Sequence, residues 1–179
     1  MALTPTSDAL TRARAVRLAL FDIDGVLTDG RLYFGPGGET LKVFHTLDGH
    51  GLKMLAMGGI ATGLLSGRNS EAAAARAREL RIPHVMLGIE DKLARFDALC
   101  ADLRLDASQC AFVGDDLPDL PVMQRCGLAV AVANAVQEVK AVAHMVTEAS
   151  GGQGAVREFC DFLLRAQGSV PTARFQAVS

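Results

Sequence analysis

The chain has 179 residues, half of them apolar, with 18 basic against 20 acidic side chains. That length suits one domain with a sizeable core. Near neutrality argues against a nucleic-acid-coating protein, which carries a basic excess, but not against a small anionic substrate held by a few local cations.

The first 15 or so residues are rich in Ala, Thr and Arg and read as a loose N-terminal arm, residues 1–15. Leu18-Ala19-Leu20-Phe21 is a short apolar run that predicts a buried strand, and it ends in Asp22-Ile23-Asp24-Gly25. Arg31–Phe34 and Glu39–Phe44 flank Gly35-Pro36-Gly37-Gly38, which predicts a β-hairpin over residues 31–44. Asp48–Met57 reads as a helix stopped by Gly58-Gly59, and Ile60–Leu65 as a buried strand. Ser70–Arg81 is rich in Ala, Glu and Arg and predicts a helix. The alternation continues with a strand at His84–Leu87, a helix at Asp91–Leu103, a strand at Cys110–Val113 and a helix at Leu117–Cys126. A strand at Leu128–Val132, a helix at Val136–Ala143, a short strand at Met145-Val146 and a helix at Ala155–Ala166 complete the series. Residues 168–179 read as an extended tail, leaving 16–167 as the folded domain.

Strands alternating with helices predict an α/β fold: a mostly parallel sheet between two helical layers, Rossmann-like, with the hairpin as a small flap. In such sheets ligands bind beyond the carboxyl ends of the strands. The chemically notable residues do follow strands. Asp22 and Asp24 end the first, Ser66-Gly67-Arg68 follows Ile60–Leu65, and Gly114-Asp115-Asp116 follows Cys110–Val113. Two carboxylates side by side on an extended segment repel unless a cation neutralises them, and magnesium accepts such oxygen ligands. Asp115 and Asp116 add acid from another strand end, Asp119 lies one helical turn further on, and Gly25 leaves space for a phosphate. Taken singly, Asp-x-Asp-Gly also suits a structural calcium site, Ser66 a helix cap, and Lys92 a solvated helix face.

The four cysteines, at Cys100, Cys110, Cys126 and Cys160, form no C-x-x-C pair and no zinc-type spacing, and read as reduced, buried thiols. Met1–Arg17 lacks the apolar core of a signal peptide, and the longest apolar stretch, Leu128–Ala133, is too short to span a bilayer. A soluble cytoplasmic protein is expected.

Asp22-Ile23-Asp24-Gly25-Val26-Leu27-Thr28, Ser66 with Gly67-Arg68, Lys92, and Gly114-Asp115-Asp116-Leu117-Pro118-Asp119 resemble, in order and spacing, the four motifs of the haloacid dehalogenase superfamily. Leu27-Thr28-Asp29-Gly30, Phe44 through Asp48-Gly49, and Gly151 through Glu158 resemble the 3-deoxy-D-manno-octulosonate 8-phosphate phosphatase family, a branch without a cap domain that forms homotetramers. The resemblance implies a magnesium-dependent phosphatase serving lipopolysaccharide synthesis. It makes Asp22 the nucleophile, Asp24 the general acid and base, and Ser66 and Lys92 the phosphoryl holders. Asp22, Asp115 and the backbone carbonyl of Asp24 would ligate the metal. For the sugar carboxylate, Arg68 is the first choice, with Gly67 beside it and Lys42 a second cation on the hairpin. His50 at a helix start reads as a bystander. The hairpin holds Leu32, Tyr33, Phe34, Leu41, Val43 and Phe44 on both faces, so burial by neighbouring subunits is expected. Arg157 and the tail are implied to reach a neighbour's site. Leu47 and Gln153 depart from the basic residues the family pattern carries there, which keeps a nonulosonate 9-phosphate phosphatase open as an alternative. A non-catalytic assembly module is the other alternative, and the intact acidic set argues against it.

Overall fold

A computed structural model describes residues 7–169. A central sheet of six strands runs in the order β5-β4-β1-β6-β7-β8, with every neighbouring pair parallel. These are β1 (Leu18–Phe21), β4 (Ala61–Leu65), β5 (His84–Met86), β6 (Cys110–Gly114), β7 (Leu128–Ala131) and β8 (Met145–Val146). All residues of β1, β6 and β7 are buried. Side chains alternate between faces along a strand, so full burial requires cover on both faces. On one side α1 (Ser7–Ala15) and α2 (Thr46–Met57) pack on α7 (Ala155–Ala166), with α3 (Glu71–Leu80) beside α2. On the other, α4 (Lys92–Leu103), α5 (Leu120–Arg125) and α6 (Gln137–Val142) pack in succession. Phe21 and Phe159 meet edge to face at 5.9 Å, joining sheet to α7.

Two expectations are corrected. Residues 7–15 are no loose arm but the helix α1, with Ala9 and Ala13 fully buried. Two alanines four apart make a stripe too narrow to stand out among the surrounding Thr and Arg, yet narrow enough for close approach to α7. Gln167 secures it by donating to the carbonyls of Ala13 and Val16 at 2.9 and 2.8 Å. The segment expected as one helix over Leu117–Cys126 divides into a 3-10 turn, Leu117–Asp119, and α5. Pro118 and Pro121 each remove a backbone donor, which favours a fresh start at each. The extended tail lies outside the described residues from 170 onward.

The hairpin is present as β2 (Tyr33–Gly35) and β3 (Gly38–Leu41), a separate antiparallel pair that never joins the main sheet. Leu32, Phe34, Leu41 and Val43 remain exposed on it. Among the described residues no helix is long and apolar enough to cross a membrane.

Asp48 ties α2 to α7. Its carboxylate is 1% exposed and accepts from the backbone N–H groups of Arg157 (2.8 Å) and Gly154 (3.3 Å), where α7 has no side-chain cap of its own. Removing it leaves those donors unsatisfied in a closed seam. Asp48→Ala is expected to cost about 2 kcal/mol, read as a lower urea midpoint at unchanged slope.

Candidate active site

Register sets the three loop tips level. Phe21 lies opposite Leu64 of β4 and Val113 of β6, and the Asp22 N–H donates to the Val113 carbonyl at 3.0 Å. The next residues on each strand therefore emerge side by side, at the point where the chain, having built the β4 side of β1, crosses to the β6 side. They open into a cleft of about 180 Å³ whose lining includes Asp22, Asp24, Ser66, Arg68, Lys92 and Asp115.

Carboxylate oxygens of Asp22, Asp115 and Asp119 all lie within 4.8 Å of one another. Lys92 is the single ammonium among them, 2.7 Å from both Asp22 Oδ1 and Asp119 Oδ1. Asp91 caps α4 by accepting from Ala94 N at 2.9 Å, which sets Lys92 as the helix's first residue and aims it inward. Three anions against one cation leave a deficit. Asp22 is pushed up to about 7, by burial and then by Asp119, with Lys92 opposing. Asp115 is pushed up to about 8, by burial and then by Asp22, Asp119 and Asp116. Burial lowers the Lys92 ammonium, but Asp22 and Asp119 reverse that, and the net direction is upward. Oxygen donors crowded beyond what one lysine neutralises fit a hard divalent cation.

Asp119 does more than its place one turn on suggests. Its Oδ2 accepts from Asp115 N at 2.9 Å and Asp116 N at 3.4 Å, so it fixes the loop that carries Asp115. Gly25 sits beneath the same loop at φ +98°, and a β-carbon there would stand 2.0 Å from Asp115 Oδ2. A side chain at 25 is thus excluded twice, by conformation and by collision. Ser66 and Lys92 are buried and face the cleft, against the cap and solvated-face readings. The cap of α3 is Ser70, accepting from Ala73 N at 3.3 Å, whereas Ser66 Oγ accepts only from Arg68 N at 3.3 Å, leaving its O–H to donate.

The structure separates the remaining residues. The Asp24 carboxylate turns from the acidic cluster toward two cations, Lys42 and Arg68. Arg68 is 39% exposed at the mouth, and Gly67 lines the cleft beside it. Lys42 does not line the cleft; it is buried beneath the hairpin between Asp24 and Glu39. His50, Leu47 and Gln153 are exposed and off the lining. Arg157 pairs with Asp161 at 2.9 Å within its own helix.

Sequence reasoning missed two residues. Glu39 joins Lys42, Arg68 and Ser70; burial raises its carboxyl, but its bonds to Ser70, Arg68 and Lys42 outweigh that and hold it down at about 2. Asn134 donates to the Gly25 carbonyl at 3.1 Å and accepts from Gly151 N at 2.6 Å. It locks the Gly-rich segment against the loop after β1, where a β-carbon on Gly151 would lie 1.7 Å from that same carbonyl. Only the Gly151-Gly152 pair signals this close approach in the sequence.

An aspartate at a strand end, a buried lysine beside it and an acidic cluster on this sheet place the chain among haloacid dehalogenase-like hydrolases, and residues 85–159 match the haloacid dehalogenase-like hydrolase family. A curated relative, the 3-deoxy-D-manno-octulosonate 8-phosphate phosphatase KdsC of Yersinia pestis, is 44% identical over 160 residues, 89% of this chain and 86% of that one. The crystal structure of a probable YrbI family phosphatase from Pseudomonas syringae pv. phaseolica 1448a superposes with a TM-score of 0.91 at 51% identity, covering 94% and 96% of the two chains. That of the 3-deoxy-D-manno-octulosonate 8-phosphate phosphatase from Moraxella catarrhalis, in complex with magnesium ion, phosphate ion and a KDO molecule, superposes with a TM-score of 0.92 at 36% identity, covering 96% and 99%. The chain belongs to the 3-deoxy-D-manno-octulosonate 8-phosphate phosphatase family.

The raised carboxyls make metal binding and stability pH-linked. Folded Asp22 and Asp115, at about 7 and about 8, hold protons that the unfolded chain releases near 3.8. Metal-free protein should therefore lose stability as pH climbs through that window. Magnesium must displace those protons, so its stabilisation should grow over the same range. Thermal melts with and without magnesium at about pH 5 and about pH 8 should show the larger shift at the higher pH.

Proposed function

We propose that the protein is a magnesium-dependent phosphatase that hydrolyses 3-deoxy-D-manno-octulosonate 8-phosphate to the sugar acid and phosphate, in the cytoplasm, as a step of lipopolysaccharide synthesis. The observation that carries this reading is the meeting of Asp22, Asp115 and Asp119 around one lysine at the strand ends. Asp22 and Asp115 would hold the magnesium ion, with the Asp24 carbonyl as a further ligand and Asp119 steadying the loop of Asp115. When bound, the ion neutralises the crowded carboxylates and the phosphate oxygens beside them.

Lys92 pins Oδ1 of Asp22, so Oδ2 is the oxygen that attacks phosphorus. The P–O bond to the sugar breaks as the aspartyl-phosphate forms, and the leaving oxygen takes a proton from Asp24. Asp24, now ionised, accepts a proton from water as that water attacks phosphorus; phosphate leaves and Asp22 is restored. The Ser66 hydroxyl and the Lys92 ammonium hold phosphoryl oxygens as charge shifts between them, and such positioning carries most of phosphoryl-transfer catalysis. Arg68 at the mouth receives the sugar carboxylate on its planar fork, with the Gly67 backbone beside it. Lys42 acts one step removed, through Asp24 and Glu39.

Asp22→Asn should abolish phosphate release from this substrate and from p-nitrophenyl phosphate alike, with the circular dichroism spectrum unchanged. In the wild type, faster turnover of a nonulosonate 9-phosphate than of the octulosonate ester would reassign the substrate.

The assembly reading is a homotetramer. Phe34 at 64% exposure stands with Leu32, Leu41 and Val43 on a two-stranded flap, and Leu47 is exposed in the first turn of α2. A flap of this kind gains little from its own two strands. Light scattering is expected to give four times the chain mass; a stable monomer would overturn it.

A further inference from the structure

Four charged side chains close a ring between the flap and the cleft. Lys42 contacts Asp24 and lies 3.1 Å from Glu39 Oε2. Arg68 Nη2 donates to that same glutamate oxygen at 3.0 Å. The ring closes at Arg68 Nε and Asp24 Oδ2, 3.4 Å apart but misaligned, and each of these buried atoms has no hydrogen-bond partner. Glu39 Oε1 accepts from the Ser70 hydroxyl, and the Phe34 ring covers the Arg68 guanidinium at 5.9 Å. Two carboxyl groups alternate with two cations around the ring.

The geometry points to Glu39 as a residue that tunes specificity: a resident carboxylate that holds Arg68 between turnovers, competes for it with a carboxylate on the substrate, and yields it when that substrate binds. This rests on the reading of Arg68 given above. A substrate carboxylate arriving at Arg68 with Glu39 still in place would set two carboxylates on one guanidinium in a half-buried mouth, and like charges there repel. Glu39 can release Arg68 without leaving the flap, because Ser70 and Lys42 continue to hold it. The Arg68 Nε, poorly satisfied by Asp24, then has a better-aligned acceptor. A phosphate ester without a carboxylate offers nothing to exchange and meets a closed Arg68. Glu39 thus competes with a substrate carboxylate for Arg68 and tempers the affinity for it, leaving esters without a carboxylate unaffected.

The test is a cycle of wild type, Glu39→Gln, Arg68→Ala and the double variant, each assayed for KM on 3-deoxy-D-manno-octulosonate 8-phosphate and on p-nitrophenyl phosphate. A neutral amide competes less for Arg68. The ratio of the two KM values should move about fivefold in favour of the sugar acid phosphate in Glu39→Gln, the scale of a half-exposed ion pair. That shift should vanish when Arg68 is alanine. If Arg68→Ala raises KM for the sugar acid phosphate and not for p-nitrophenyl phosphate while Glu39→Gln leaves the ratio unmoved or reverses it, the exchange is overturned and the Arg68 reading stands. If Arg68→Ala affects both substrates alike, the Arg68 reading itself fails and the exchange with it. Melting temperatures of all four proteins separate either result from loss of fold.

Discussion

The structure depends on one electrostatic imbalance: three carboxylates, of Asp22, Asp115 and Asp119, brought within 4.8 Å of one another and answered by a single lysine. Nothing local favours that arrangement. Burial and mutual repulsion both raise Asp22 and Asp115 above the ordinary carboxylate range. The cluster persists because each member is fixed from behind. Asp22 follows a strand buried along its whole length, Asp119 is tied to two backbone N–H groups, and Lys92 starts a helix capped by Asp91. An acidic site of this kind is built by the scaffold and discharged by its ligand, which is how strained functional sites differ from stable surfaces.

Parallel strands are what let so many parts converge. Because β4, β1 and β6 all point one way, their C-terminal residues crowd one edge, and the register holds Phe21, Leu64 and Val113 level. The loops that follow must then pack against one another closely. Gly25 under Asp115, and Gly151 against the Gly25 carbonyl, are where backbone passes with no space for a side chain. Asn134 uses both ends of its amide to hold those two loops together. The Gly-rich segment before α7 therefore backs the loop that follows Asp22 and Asp24, although it lies more than a hundred residues from Asp22 in sequence.

What could be read from the sequence follows the range of the interactions. The strands and the residues ending them were legible because a buried run followed by acids, or by Ser-Gly-Arg, is a local pattern. Asp22, Asp24, Ser66 and Asp115 stand at the cleft as that pattern implies, and Lys92 stands there as only the family resemblance implied. Helix α1 was not legible, since its burial rests on two alanines whose partner helix begins at residue 155. Asp119 was placed in a supporting role by its spacing, but its hold on two backbone amides and on Lys92 depends on a 3-10 turn that its neighbouring prolines shape. Glu39 had no signal at all. Its partners Arg68 and Ser70 lie 29 and 31 residues away, and only the fold of the flap brings them together.

The flap divides its two tasks by side-chain chemistry. Glu39 and Lys42 bond inward to the site, while Leu32, Phe34, Leu41 and Val43 stay exposed. A two-stranded ribbon has too few internal contacts to hold such a split by itself. The ionic ring anchors one side, and an apolar surface of this size calls for cover on the other. Anything that covers that surface would also stiffen the base from which Glu39 reaches Arg68. On the proposed assembly, subunit contact and substrate choice would then be coupled through a single short element, with the ring as the joint between them.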